Sequence, residues 1–190
     1  MTLSRSMPTI DASPSPQPQR LVAQPLTCES FSRYGLVLKS EAPVIVNEGF
    51  ARRLDTLVDV PNAGGRALLR LSIFEVTVRP FPVLVTALER HLLTGQAFMP
   101  LGPARALVVV AGSGPDGEAD PETLAAFITE PGQGILYAPG IWHLGLSCVD
   151  RAGSFQMAMW SGDAPDTDVR SLAPPVAIDM PSPVAAEAMP

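Results

Sequence analysis

The chain has 190 residues, of which 46% are hydrophobic, and this is typical of one globular domain with a sizeable core. Its formal net charge is −6 and its basic residues are scattered, which argues against a nucleic-acid-binding surface. The two cysteines form no CxxC motif, the N-terminal region has no apolar secretion signal, and no apolar run reaches the roughly 20 residues that span a bilayer. We therefore expect a cytoplasmic protein that contacts no membrane.

Proline is concentrated at both ends of the chain. Residues 8–25 and 165–190 contain 11 of the 21 prolines. Proline cannot donate a backbone hydrogen bond, and low-complexity sequence offers little apolar surface to bury. We therefore predict disordered tails at residues 1–24 and 173–190 on either side of one folded domain at residues 25–172.

The folded part is predicted to consist mainly of short strands. A helical turn is expected at 50–54, followed by a long strand at 67–79 in which alternate apolar residues share a face. Apolar stretches bounded by Gly or Pro predict further strands at 83–88, 97–100, 106–111, 135–138, 144–149 and 154–160. A short helix is predicted at 121–128, because Asp120 is a suitable N-cap and Pro121 suits the first helical position. Many short strands separated by turns favour an all-β sandwich or barrel.

The only two histidines lie at the edges of predicted strands, 52 residues apart. Strand alternation directs Glu89 and His91 to one face and Arg90 to the other. A turn then returns the chain so that Gln96 can face the same cavity, and a Pro-Gly turn precedes His143 on a later strand. The fold can thus bring together two imidazoles, a carboxylate and an amide.

This mixed nitrogen and oxygen set suits nickel, manganese or iron(II) better than a structural zinc site, which prefers thiolates. The competing interpretation is that each histidine is an ordinary core residue satisfied by hydrogen bonds. Arg53 and Arg90 are candidates for a bidentate clamp on a substrate carboxylate. Asn47, in a turn with Gly49, is a further candidate for substrate binding.

At these residues the chain resembles the ureidoglycolate lyase family, over about residues 25–172. The most specific matching segments are Leu88-Glu89-Arg90-His91 followed by Gln96-Ala97-Phe98-Met99-Pro100, and Gly132-Gln133-Gly134 running into Gly140-Ile141-Trp142-His143. Weaker matches are Phe31-Ser32-Arg33-Tyr34-Gly35, Asn47-x-Gly49 with Arg53, and Leu124-x-Ala126-Phe127-Ile128.

The resemblance implies a cupin-like jelly roll or β-barrel that cleaves ureidoglycolate to glyoxylate and urea in allantoin breakdown. It also implies a homodimer and a divalent metal, with nickel the one named. Carried onto this chain, it makes His143, Glu89 and His91 the expected catalytic residues. The expected metal ligands are Glu89, His91, Gln96 and His143, and the expected substrate-binding residues are Arg53, Arg90, Gln96 and Asn47.

The chain departs from the family pattern at several positions. His143 is followed by Leu144, where the family has a second histidine; Glu75 stands at a usual arginine; and Met159-Trp160 replaces an Asp-Arg pair. An exchange of arginine for glutamate reverses a charge that could pair with an anionic substrate. Two alternatives therefore stay open: a divergent cupin enzyme acting on another small hydroxy or keto acid, and a non-catalytic module that binds a small molecule.

Overall fold

A computed structural model describes residues 18–39, 42–56 and 58–182, and these residues form mostly strands. The strands are β1 (Gln19–Val22), β2 (Gln24–Pro25), β3 (Gly35–Leu38), β4 (Val44–Val46), β5 (Ala51–Arg53), β6 (Leu68–Val76), β7 (Val83–His91), β8 (Gln96–Pro100), β9 (Ala106–Ala111), β10 (Ala125–Ile128), β11 (Gly134–Tyr137), β12 (Trp142–His143), β13 (Ser147–Cys148), β14 (Gly153–Ser161) and β15 (Thr167–Asp179). Helix α1 spans Cys28–Phe31, and single 3-10 turns span Asn47–Gly49 and Pro121–Thr123.

The strands form two main sheets and one small hairpin. The larger sheet has the order β1-β15-β7-β12-β9-β10-β2, with β13 also pairing with β9. The five-stranded sheet has the order β3-β11-β8-β14-β6, and β4 pairs with β5 alone. Most neighbouring strands are antiparallel, as in β7 with β15 and in β8 with β14. The predicted all-β, cupin-like architecture is confirmed.

Strand β9 shows why the larger sheet has two apolar faces. Its alternate residues Ala106, Val108 and Val110 join a core cluster that also contains residues of the five-stranded sheet, such as Phe98 and Met157. The residues between them, Leu107, Val109 and Ala111, belong to a second core cluster, which also contains Trp142 of the larger sheet. A strand that is buried on both faces needs the continuous apolar sequence found here.

The pairing of β7 with β15 is irregular just before the residues of β7 that face the cavity described below. The pairing with β15 shifts register between Ser171 and Val176, opposite Ala87 and Val85 of β7. Beyond this shift Leu88 packs in the second core cluster, while Glu89 and His91 line a cavity between the sheets. The predicted alternation of Glu89 and His91 against Arg90 is therefore confirmed.

Two predicted helical segments are wrong. Asp120 does cap a turn, accepting a hydrogen bond from the Glu122 amide, but the turn ends at Thr123 and Ala125–Ile128 is strand β10. Pairing of β10 with Leu107–Val110 of β9 outweighs the local helical signal. The segment expected to be a helical turn at 50–54 instead contributes strand β5 to a hairpin.

The predicted domain limits are also wrong at both ends. Gln19–Val22 pairs in parallel with Val176–Asp179, and Ala23, Val176 and Ile178 are buried. The domain therefore includes residues that the proline content had assigned to tails. Pairing between segments more than 150 residues apart has no local signature in the sequence, so the error is one of non-local structure. The remainder of the predicted tails, residues 1–17 and 183–190, lies outside the described residues.

Across the described ranges, no helix is long and apolar enough to cross a membrane.

Candidate active site

Strands β7 and β12 bring a carboxylate and two imidazoles together on the cavity side of the larger sheet. His143 is directly paired with Glu89 in the β12–β7 ladder, and His91 lies two residues further along β7. The His143 Nε2 atom is 3.6 Å from Glu89 Oε1, and the two imidazole ring centroids are 5.5 Å apart. One ligand atom from each of the three residues lies within 4.8 Å of the other two. This is the convergence that the sequence predicted for these three residues.

Both imidazoles are held through their Nδ1 atoms. His143 Nδ1 is 2.9 Å from the Ile141 carbonyl oxygen, and His91 Nδ1 is 3.2 Å from the Thr167 hydroxyl. The Nε2 atoms of both rings are buried and have no hydrogen-bond partner within the described part of the chain. At His143 the carbonyl can only accept a hydrogen bond from Nδ1, so the Nε2 atom of this ring carries a lone pair, which is the usual arrangement of metal-binding histidines. The Glu-His-His group therefore fits a divalent metal ion.

Neighbouring groups determine the charges in the site. The pKa of Glu89 is lowered, mainly by its interaction with the His143 imidazole, whose Nε2 atom lies 3.6 Å away, so its carboxylate is ionised at neutral pH. The pKa of His91 is also lowered, mainly by burial and then by repulsion from His143. A neutral imidazole and an ionised carboxylate are the protonation states in which these side chains bind metals.

The opposite wall of the cavity is a row of side chains across the five-stranded sheet. Tyr137 of β11 pairs with Gln96 of β8, Gln96 pairs with Met159 of β14, and Met159 pairs with Arg70 of β6. Directly paired residues point to the same face of a sheet, so all four face the Glu-His-His group across a cavity of about 290 Å³. A small organic acid has the size that such a cavity can accommodate.

Tyr137 connects this row with the metal-binding group. Its ring stacks on His143 at 4.2 Å between centroids, and its buried hydroxyl has no hydrogen-bond partner among the described residues. Burial raises its pKa far above the physiological range, so the hydroxyl stays protonated and acts as a hydrogen-bond donor.

Comparison with known proteins identifies the family. The family model described as ureidoglycolate lyase matches residues 18–179, which include every residue of the cavity. The chain belongs to the ureidoglycolate lyase family. Curated ureidoglycolate lyases similar to it include proteins from Burkholderia cepacia, with 37% identity over 75% of this chain and 81% of the relative, and from Mesorhizobium japonicum, with 36% identity over 76% and 88%. A relative from Burkholderia mallei is 35% identical over 80% of this chain and 89% of its own length.

Three residues expected to bind substrate in this ureidoglycolate lyase family member lie outside the cavity. Asn47 and Arg53 belong to the β4–β5 hairpin, where Arg53 pairs with Asp55 at 2.9 Å. Arg90 points to the other face of β7, where it pairs with Asp168 at 3.1 Å and stacks over Trp142 at 4.3 Å. Strand alternation predicts this face for Arg90. Substrate binding by Asn47, Arg53 and Arg90 stays a prediction, which the cavity lining does not support.

Gln96 does line the cavity, as expected, but from the wall opposite the histidines. Its amide nitrogen donates to the Met159 sulfur at 3.6 Å. This leaves the amide oxygen as the atom that can turn toward a metal or a substrate. Its place among the metal ligands stays a prediction.

Sequence reasoning missed Arg70, Tyr137 and Thr167 as parts of the site. Tyr137 precedes the Gly140–His143 segment by a few residues, and Thr167 lies directly opposite His91 in the β15–β7 ladder. Arg70 had a visible signal, because it is the single charged residue in the apolar stretch 67–74.

The departures from the family pattern differ in their relation to the cavity. Glu75 lies on the outward face of β6 and is exposed, and Trp160 lies opposite outward-facing Leu69. Leu144 packs in the second core cluster. The concern that Glu75 reverses a charge in the site is therefore unfounded, and Met159 is the departure that changes the cavity wall.

Proposed function

We propose that this protein is a ureidoglycolate lyase that cleaves ureidoglycolate to glyoxylate and urea during allantoin breakdown. The observation that carries the proposal is the Glu89, His91 and His143 group, in which two buried Nε2 atoms and an ionised carboxylate face one cavity. Membership of the family and the names of its similar relatives support the same reaction.

The reaction requires a proton to leave one atom and arrive at another. In ureidoglycolate one carbon carries a carboxylate, a hydroxyl and a ureido nitrogen. The hydroxyl proton is removed, the C–O bond becomes a carbonyl, and the C–N bond breaks with its electron pair passing to nitrogen. That nitrogen then takes up a proton and leaves as urea.

Two neighbouring groups can carry this proton. Glu89 is ionised, and its Oε1 atom lies 3.6 Å from the Nε2 atom of His143. Without a bound metal, Glu89 takes the proton from the hydroxyl, and the Glu89–His143 pair returns it to the leaving nitrogen. The Tyr137 hydroxyl donates a hydrogen bond to a substrate oxygen and so satisfies its own buried donor. A positioned acid–base group of this kind contributes about 10²–10⁴-fold in rate.

A divalent metal fits the same group. Glu89, His91 and His143 would hold it, with Gln96 as the fourth predicted ligand. Bound there, it would supply a Lewis acid that lowers the pKa of the substrate hydroxyl. We propose nickel, because imidazole and carboxylate ligands suit it and the family resemblance names it.

The decisive experiment uses purified protein and racemic ureidoglycolate, with chelator or with added nickel, while glyoxylate and urea are both measured. We expect equal amounts of the two products. His143→Ala should lower turnover by at least about 10²-fold while circular dichroism shows a folded protein. Ser147→Ala is the matched control, since Ser147 is a buried polar residue outside the cavity lining. Full activity of His143→Ala would refute the assignment, and turnover of another hydroxy acid without urea would favour the divergent-enzyme alternative.

We also propose that the protein is a cytoplasmic homodimer. Cys28 and Cys148 are both free, one exposed and one buried, as suits a reducing compartment. Strand β6 is an edge strand, and its outward residues Leu69, Leu71 and Ile73 are 49%, 64% and 63% exposed. Packing of two such β6 faces against each other about a two-fold axis would cover these apolar side chains.

Light scattering tests the dimer. The wild type should have twice the monomer mass, and Leu71→Asp should give monomers. The matched control is Leu101→Asp, which changes an exposed leucine away from β6. A monomeric wild type, or a dimer that survives Leu71→Asp, would contradict the β6 interface.

A further inference from the structure

Among the described residues, the lining of this cavity includes one guanidinium group, that of Arg70, and one carboxylate, that of Glu89. Arg53 and Arg90, which the sequence favoured as carboxylate clamps, are engaged elsewhere. An α-hydroxy acid substrate carries a full negative charge on the carboxylate group attached to the reacting carbon. Placing that charge inside the cavity beside ionised Glu89 is unfavourable unless a positive group lies near it.

Arg70 is on the cavity face of β6. It shares this face with Phe74, which packs edge-on against Phe98 at 5.3 Å between centroids, and with buried Val76. These contacts fix the strand against the core. Arg70 is also paired with Met159, which is paired with Gln96, so its backbone is two strand spacings, or about 10 Å, from that of Gln96. An extended arginine side chain can cover much of that distance and reach the centre of the row.

The guanidinium of Arg70 is available for a ligand. Its Nη2 atom donates to the Ser161 hydroxyl at 2.9 Å, and within the described ranges no carboxylate lies at ion-pair distance from it. A guanidinium has five N–H donors in a planar fork that matches a carboxylate. The one bond to Ser161 orients the group and leaves donors free. Met159, directly opposite, is uncharged and does not neutralise it.

Arg70 also lies at a boundary between two cavities. A second cavity of about 220 Å³ adjoins the first, and Arg70, Met159 and Thr167 line both. A carboxylate held at this boundary would lie on the β6 side of the first cavity, whose lining also includes Glu89 and His143.

We propose that Arg70 binds the substrate carboxylate and thereby selects small α-hydroxy acids over their neutral analogues. This inference rests on the proposed lyase function for the identity of the substrate, but the preference for an anion can be measured without turnover. Arg70 makes the site specific for a monoanionic acid whose charged end faces β6 and whose reacting carbon faces β7 and β12.

The test combines binding on chelator-treated protein with kinetics on nickel-loaded protein, so that no bound cation contributes to the binding preference. Isothermal titration with glycolate and with glycolamide compares an acid with its uncharged amide. The wild type should prefer glycolate by about 10- to 100-fold, the range expected for a charge-assisted pair. Arg70→Met should remove that preference and raise the KM for ureidoglycolate by a similar factor, with a smaller change in kcat. Arg70→Lys, which keeps the charge and much of the side-chain packing, should retain part of the preference.

Arg79→Met is the matched control, because Arg79 is exposed, lies just beyond β6 and carries the same charge. A wild type without preference for glycolate, or an Arg70→Met variant that keeps the preference, would overturn the proposal. If the wild type releases urea normally and Arg70→Met behaves like the wild type, carboxylate binding by Arg70 is rejected and the lyase function stands. If glycolate binding depends on Arg70 but no urea is released, carboxylate binding by Arg70 stands and the lyase function is rejected.

Discussion

Replacement of Tyr137 by phenylalanine separates stability from function at this site. The Tyr137 hydroxyl is buried and has no hydrogen-bond partner among the described residues, while its ring stacks on His143 at 4.2 Å and packs among core aromatic residues. Phenylalanine keeps the ring and removes the unpaired donor. A tyrosine that is retained at a cost in stability is expected to serve the substrate.

The expected change in the free energy of unfolding follows from the burial of the unpaired Tyr137 hydroxyl. An unsatisfied buried polar group costs about 1–3 kcal/mol, so Tyr137→Phe should raise the free energy of unfolding by about 1 kcal/mol once partial hydration of the cavity is allowed for. In a domain of this size that corresponds to a rise of about 2–4 °C in Tm. Loss of one hydrogen bond to the substrate should lower kcat/KM by about 10-fold.

Differential scanning calorimetry and the urea-release assay measure the two effects on the same samples. Ser147→Ala is the matched control, because its hydroxyl is also buried without a partner but lies outside the cavity lining. It should gain similar stability with unchanged kcat/KM. If Tyr137→Phe instead lowers the free energy of unfolding by more than about 1 kcal/mol, the Tyr137 hydroxyl has a hydrogen-bond partner in the folded protein. An unchanged kcat/KM would mean that it does not contact the substrate.

Three further measurements probe the rest of the molecule. Nickel at 100 times its Kd should stabilise the wild type by about 2.7 kcal/mol in a thermal shift assay with chelator reversal, and His143→Ala should lose most of that gain; equal gains in both proteins would contradict the site. A thiol reagent should label exposed Cys28 quickly and Cys148 only after denaturation, because burial raises the pKa of the Cys148 thiol and shields it from the reagent. Rapid labelling of both thiols in the native protein would contradict the burial of Cys148. Asp168→Ala should lower the free energy of unfolding by about 2 kcal/mol, since it leaves the mostly buried Arg90 guanidinium without its carboxylate. An unchanged free energy of unfolding in chemical denaturation would contradict a structural role for the Arg90–Asp168 pair.

Local features of the site were predictable from the sequence. Alternation along a strand placed Glu89 and His91 on one face and Arg90 on the other, and it separated His143 from Trp142. The family was also identifiable from short segments around these residues, and the family comparison confirms it. Each of these inferences depends on residues close together in the chain.

Partners distant in the chain were not predictable. The arginines favoured from the sequence, Arg53 and Arg90, pair with carboxylates outside the cavity, while Arg70 reaches the cavity through the register of β6 with β14. The short helix at 121–128 and the domain limits failed for the same reason, since β10 and β1 owe their structure to ladders with remote strands.

The sequence by itself determined which side chains share a face of each strand, because alternation follows from the geometry of a single extended backbone. Only the tertiary structure decided that Glu89 lies opposite His143, and that Arg70, Met159, Gln96 and Tyr137 form one row. The register between strands is set by the burial of two apolar clusters. The free energy of this burial arises only when the sheets assemble, so no single segment of the sequence contains it.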